Sequence, residues 1–457
     1  MDDFFYQIRK DQTGKNLISY VLGLSLMTVF ALWVKSIDIG SSWQGAGLIN
    51  FSLGFVLLAA YMVAQILRMV RIPLISAYIF TGIVAGPYVT GFLTFDMAGQ
   101  LRLIDDLALS FIALTAGGEL HLQSLKKRGL AIGLNILLNI LIVFGLVFVF
   151  VTFMGKQFNL MRTLSSDQII ALAVLLGAVA VARSPSSAIA IISESRASGL
   201  FTETVIGVTI VIDVLIIIFF TLALAITKII LTPGGIISQE VFMALFAELT
   251  ISLIIGAVIG KGISLYIDRA GYDLPLFLLF VAFGVTKTSL WLTHFMNTHF
   301  EIHLHLEPLL ICMSAGFTVQ NFSKGGFDFM ESLDRVALPI YVLFFSLAGA
   351  SLNLEALRMC WPLAMSMVLV RILGIFGATW LAGIINRDPP CHNRNAWMAY
   401  LTQAGVAIGL AQLAQRQFPE IGSHLTTVVL AVISVNQIAG PITFKMALER
   451  VGEAGKR

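Results

Sequence analysis

Two places in this chain carry side chains able to do chemistry in apolar surroundings. One is Asp213, set in the run VTIVIDVLIIIFF, and the other is Arg183 with the Ser184-Pro185-Ser186-Ser187 that follows it. A carboxylate flanked by isoleucine and valine is costly to bury, and it marks an ion or substrate pathway because it binds either a proton or a metal cation. The two then compete for one site. Proline removes a backbone donor and breaks a helix, and the three serines beside it can serve the freed backbone groups or an ion. The purely structural alternatives are a kinked helix for the serines and a salt bridge to Arg183 or Arg371 for Asp213.

Both features run into a polar elbow at Arg196 to Ser198, so two apolar helices meet there in a tight turn. Counted back from the elbow at a rise of 1.5 Å per residue, Arg183 and Asp213 each lie about 20 Å up their helices. The elements that must position them are therefore membrane spans, and both residues fall near mid-membrane.

Composition agrees. The chain of 457 residues is 58% hydrophobic and 12% charged, with a mean hydropathy of +0.90, which makes it a polytopic membrane protein. A net charge of +3 gives no argument for nucleic acid. Cys312, Cys360 and Cys391 show neither metal spacing nor pairing, and no cofactor motif occurs. The first residues mix acidic with basic side chains and lack a cleavage pattern, so no removable signal peptide is expected.

Apolar runs predict about 14 transmembrane helices, at 17–34, 48–69, 74–92, 102–120, 130–154, 168–195, 199–227, 241–264, 274–294, 305–322, 335–352, 356–386, 397–416 and 424–447. With both termini cytoplasmic, this map puts 19 of the 29 basic residues on the inner side and seven on the outer. That asymmetry is the positive-inside rule. It leaves Arg183, Lys287 and Arg371 inside spans. On this map no soluble domain, and no nucleotide-binding tail, is expected.

The bland role for Arg183 is to offset the carbonyls that end the helix before the break. Arg371 cannot usefully deprotonate and reads as counter-charge to Asp213. Gln403 and Gly405, in LTQAGVAIGLAQ, mark either a second broken helix or a small-residue packing seam. Glu119 and His121 read as loop-facing, Asp105 and Asp106 as a funnel rim or a solvated helix start, and Glu248 with Lys287 as a structural pair. His294, His299, His303 and His305 surround an outer loop without matching a zinc motif.

Five stretches in register, IPLISAYIFTGIVAGP, LALSFIALTAGGEL, LLICMSAGFTVQN, LPIYVLFFSLAGASL and VVLAVISVNQIAGP, resemble the second family of monovalent cation:proton antiporters, which includes sodium/proton and Kef-type potassium/proton proteins. The resemblance implies an all-α fold of two inverted six-helix repeats with crossed unwound helices. It divides the chain into residues 1–47 with an extra helix, an antiporter domain over 48–448 and a short tail over 449–457. Within that domain, repeat one covers about 48–227, a linker helix 241–264 and repeat two 274–448. It also implies a core domain that moves against a dimerisation domain, and a homodimer. Asp213 matches the family's essential aspartate, and Ser184, Ser186 and Ser187 match its unwound ion-binding segment. Arg371 falls in the helix where electrogenic members carry lysine. The chain departs from the pattern at Ile212, where a polar residue is usual, and at Arg183, where threonine is common.

The reading that follows is a transporter, not an enzyme, of the plasma or inner membrane, exchanging Na+ or K+ for H+ by alternating access. With one titratable carboxylate and arginines that stay charged, exchange is expected to be electroneutral. Its partners are those ions and the lipid, with no cofactor and no nucleic acid. The alternative keeps the scaffold but puts Arg183 in the site, where it binds an anion or organic solute coupled to protons.

Overall fold

The computed structural model describes residues 19–34, 47–69, 72–231, 239–299, 306, 308–403 and 405–456, and all its regular structure is helical. The outer-loop residues His303 and His305, and the side chains of His294, His299, Asp105 and Asp106, lie outside what is described.

One unit comprises residues 1–105 and 338–352. It holds α1 (Ser19–Val34), α2 (Leu48–Arg68), α3 (Leu74–Ala85) and the short α4 (Phe95–Gln100), together with the second half of α13 (Gly326–Ala350). Its core gathers Ala31, Ile49, Val56, Phe92, Leu93, Leu347 and Ala350, with Phe55 and Phe92 stacked at 4.6 Å. α3 crosses α13 so closely that a Cβ added at Gly82 would strike the Ser346 carbonyl, and one at Gly349 the Ile79 carbonyl. Small residues are what allow helix backbones this near one another in a membrane.

The other unit comprises residues 106–337 and 353–457. In chain order it contains most of α5 (Arg102–Glu119), α6 (Leu122–Met154), α7 (Ser166–Val181), α8 (Pro185–Ser195), α9 (Leu200–Leu231), α10 (Gln239–Arg269), α11 (Leu274–His299), α12 (Pro308–Phe322) and the start of α13. After it come α14 (Leu354–Asn386), α15 (Pro390–Asn395), a 3-10 turn (Ala396–Tyr400), α16 (Gly405–Gln417) and α17 (Pro419–Arg450). Around α7, which is buried along nearly its whole length, pack α6, α9, α16 and α17, while α14 lies against both α6 and α17. α10 and α11 lean on α12.

Each expected apolar stretch coincides with a helix, two of them broken by unwound residues and that of α14 kinked at Cys360. Among the described residues, eight helical stretches are long and apolar enough to cross a membrane, and shorter apolar helices accompany them. The protein is an integral membrane protein built of helices.

Candidate ion-binding site

The first interruption follows directly from its residues. Ser165 and Gln168 form a reciprocal capping box that starts α7. α7 stops at Val181, and Ala182 (φ −57°, ψ 144°) and Ser184 (φ −113°, ψ 100°) are extended. A residue before proline is pushed out of the helical region, so Ser184 has little choice. Its hydroxyl then accepts from the Ser187 amide at 3.2 Å, and Pro185 takes the first helical position of α8, where its missing N–H costs nothing. The same hydroxyl lies 3.0 Å from Ser186 Oγ and donates to Ser187 Oγ at 2.9 Å. The three serines therefore form one oxygen cluster at the start of α8, with Ser184 and Ser187 buried and Ser186 half-buried.

The second interruption falls in the run that holds Gln403 and Gly405. The chain leaves the 3-10 turn at Tyr400, runs without helix through Leu401, Thr402 and Gln403, and resumes as α16 at Gly405. The two unwound segments meet, with the Ser184 amide donating to the Thr402 carbonyl at 3.2 Å. Gln403 Nε2 donates across to the Val179 carbonyl at 3.1 Å, and its own carbonyl accepts from Asn436 of α17 at 2.7 Å. All of these groups are buried.

Arg371 of α14 binds the crossing together. Nε donates to the Ala180 carbonyl at 2.8 Å, Nη1 to that of Leu401 at 2.9 Å, and Nη2 to those of Ala182 at 3.2 Å and Tyr400 at 3.3 Å. Both helix ends that point carbonyls into the crossing are thus neutralised by one planar fork. This is the role expected of Arg183. The arginine that fills it arrives from another helix, because a guanidinium approaching from the side can span both ends at once.

Arg183 turns elsewhere. Its Nη2 donates to Asn139 Oδ1 on α6, and its Cζ sits 4.1 Å from the centroid of the Tyr400 ring. Asn139 is held in turn by its amide, which donates to the carbonyl and side chain of Asn135 at 2.8 and 2.7 Å. Arg183 is 2% exposed, and its Nε and Nη1 find no hydrogen-bond partner among the described residues. Tyr400 consequently joins the two arginines, with its ring against Arg183 and its carbonyl on Arg371.

Asp213 stands half-buried on α9, which packs against α7, α8, the 3-10 turn and α16, the four pieces that make the crossing. From the elbow side a cavity of about 520 Å³ opens along α9. Ser198, Thr202, Glu203 and Ile206 line it, with Glu119 and His121 of the α5 end and Glu331 and Asp334 of α13. Ile206 and Asp213 are seven residues apart on one face of α9, so the cavity ends about 10 Å below the carboxylate. Glu119 and His121 face this cavity instead of an outlying loop, and His121 Nε2 meets Gln320 Nε2 at 2.9 Å.

Two interrupted helices thus meet beside a carboxylate-bearing helix. A model of the transmembrane sodium/hydrogen exchanger family matches residues 53–450, nearly the whole helical body. The chain belongs to that family. It is therefore a transporter and not an enzyme. The exchanger is also similar in fold to the sodium proton antiporter MjNhaP1 from Methanocaldococcus jannaschii in two solved forms. One, at pH 8, has a TM-score of 0.59 at 18% identity and covers 89% of this chain and 95% of that one. The other, from electron microscopy, has a TM-score of 0.66 at 16% identity and covers 89% and 96%. No curated protein sequence gives a significant match.

Sequence reasoning missed four residues of the exchanger's site region: Asn135, Asn139, Tyr400 and Asn436. The asparagine pair had a signal, since two amides four residues apart in an otherwise apolar helix share one face and call for a partner. Asn436 carried the same signal, an amide in the apolar run VVLAVISVNQIAGP, and Tyr400 carried none.

Proposed function

We propose that this exchanger couples proton movement to the opposite movement of a monovalent cation, Na+ or K+, with Asp213 as the group both occupy in turn. The observation that carries the reading is the crossing itself. Hydroxyls gathered at Ser184, Ser186 and Ser187 open α8, which packs against the α9 that carries the Asp213 carboxylate, in a member of the sodium/hydrogen exchanger family. Oxygen donors on unwound backbone can replace a cation's hydration shell, and the carboxylate supplies the charge. Deprotonated Asp213 takes the cation from the cavity beside α9, and protonation on the other side releases it.

Arg371 supports an electroneutral cycle. Its guanidinium is committed to four carbonyls and stays charged, so Asp213 is left as the titrating group and one proton exchanges for one cation. In this reading the chain has 14 spans, an extra first helix and then two inverted six-helix repeats joined by a linker helix, with both termini cytoplasmic, the 520 Å³ cavity opening inward, and two copies forming a homodimer in the plasma or inner membrane. The domain limits are those of the sequence reading, 48–448 for the transporting body.

The test is proton flux in proteoliposomes under an imposed Na+ or K+ gradient. Wild type acidifies or alkalinises the lumen according to the gradient, and Asp213→Asn, which keeps shape but cannot ionise, abolishes the flux while remaining folded. Flux that survives in Asp213→Asn refutes the mechanism, and a rate that follows membrane voltage refutes the stoichiometry.

A further inference from the structure

The segment after α17 does something that neither the crossing nor the cavity requires. α17 ends at Arg450, and the chain turns back through Gly452 (φ +70°) so that the Glu453 amide donates to the Leu448 carbonyl at 3.1 Å. The Glu453 side chain then enters the first turn of α9. Oε1 accepts from the Phe201 amide at 2.8 Å, and Oε2 accepts from the Thr202 amide and hydroxyl, both at 2.7 Å. Glu453 is 4% exposed.

Backbone bonds tie the same few residues to the elbow. The Ser198 amide donates to the Glu453 carbonyl at 3.2 Å, and the Gly455 amide donates to the Ser195 carbonyl, the last of α8, at 2.9 Å. Gly199 sits so close that a Cβ there would collide with the Glu453 carboxyl. One turn back on α17, Lys445 pairs with Glu194 of α8 at 3.0 Å. The carboxylate thus satisfies helix-start amides that have no partner within α9 and places negative charge at the positive end of the helix.

We propose that Glu453 is a positioning residue for exchange: it clasps the α8–α9 elbow to α17, so that the serine cluster and Asp213 travel as one body. The serines begin α8, Asp213 lies eleven residues beyond Thr202 on α9, and Gln403 hangs from Asn436 of α17. The three parts of the crossing are therefore carried by the three helices this clasp joins. The clasp is about 16 Å from Asp213 at a rise of 1.5 Å per residue, too far to act on the bound ion. Its effect falls on the rate of the conformational step and not on cation affinity. The clasped residues Ser198, Gly199 and Thr202 also wall the cavity beside α9, so the same contact shapes the route to the site.

This inference rests on the exchange reading, and two measurements on the full chain in lipid separate the two. Hydrogen exchange followed by mass spectrometry reads the clasp directly. In Glu453→Ala the amides of residues 198–203 exchange about tenfold faster or more, since charge-assisted bonds of this kind are lost. Glu453→Gln gives a smaller increase, because its one carbonyl oxygen still serves the Phe201 amide while its NH2 faces the Thr202 donors. Na+-driven proton flux, normalised to folded protein, then shows turnover falling about tenfold in Glu453→Ala, with the KM for Na+ within about twofold of wild type and Glu453→Gln in between.

Unchanged protection of residues 198–203 overturns the proposal. So does a KM that rises in step with the loss of turnover, or faster hydrogen exchange spread evenly over all helices, which is general destabilisation. Wild type that carries no Na+- or K+-driven flux retires the exchange reading instead, while the hydrogen-exchange result still decides whether Glu453 clasps the elbow.

Discussion

Replacing Arg371 is the most demanding test of how the crossing is held. Its guanidinium serves the carbonyls of Ala180, Ala182, Tyr400 and Leu401 at 2.8 to 3.3 Å and is 1% exposed. In Arg371→Leu all four carbonyls lose that donor in surroundings without bulk water. At about 1 kcal/mol for each bond lost, the crossing is weakened by about 4 kcal/mol, a large part of what holds a folded body together. Arg371→Lys keeps the charge but offers three donors from one point in place of a planar fork, so at least one carbonyl is stranded and about 1–2 kcal/mol is lost. Thermal unfolding of purified protein in detergent orders the three as wild type, Arg371→Lys, Arg371→Leu. Flux measured on the lysine variant stays electroneutral, because the residue holds backbone and carries no proton. An Arg371→Leu protein as stable as wild type would refute the reasoning. A lysine variant whose exchange becomes voltage-dependent would show instead that this position takes part in the proton stoichiometry.

Arg183→Thr removes a permanent positive charge near the site and lowers the KM for Na+, with the gain below the roughly 4 kcal/mol that a unit charge exerts at 4 Å in an effective dielectric of 20, because the guanidinium is turned to Asn139 and Tyr400. Initial-rate measurements against Na+ concentration check this, and an unchanged or higher KM contradicts it. On α5, Gly117→Val drives a side chain into the Met313 carbonyl of α12 and separates the two helices. An overpacked crossing of this kind loses about 1–3 kcal/mol, read as a lower melting temperature, and an unaltered melting curve would show that α5 and α12 can part without cost.

The helical body was legible because the membrane leaves the chain so few options. Unsatisfied backbone is costly in lipid, so every long apolar run had to be a helix, and the Ser-Pro at 184–185 announced its break in local sequence. Gln403 and Gly405 gave an ambiguous signal, since glutamine beside glycine suits a packing seam as well as an unwound turn; in the structure residues 401–403 are non-helical and Gln403 bonds to Val179 and Asn436. What could not be read was partnership at long range. Arg371 lies 191 residues from Ala180, and Glu453 lies 251 from Thr202, so nothing local says which helix ends they serve. Arg183 was misassigned for the same reason. Its nearest carbonyls in sequence were the obvious partners, while the side chain leaving an extended segment reaches a different helix.

The two arginines now divide the work of the crossing. An interrupted helix presents about half a negative charge at its carbonyl end, and two such ends meet here, so one guanidinium is what the backbone requires. Arg371 meets that requirement with all its bonds on those ends. Its charge is balanced where it sits and acts little on an ion bound elsewhere. Arg183 has no such match: an amide and a ring face are neutral, and two of its nitrogens make no hydrogen bond among the described residues. Removing Arg371 should therefore be felt first as lost stability, and removing Arg183 first as changed cation affinity. Measuring both quantities on both variants separates charge that holds the crossing from charge that tunes its ion.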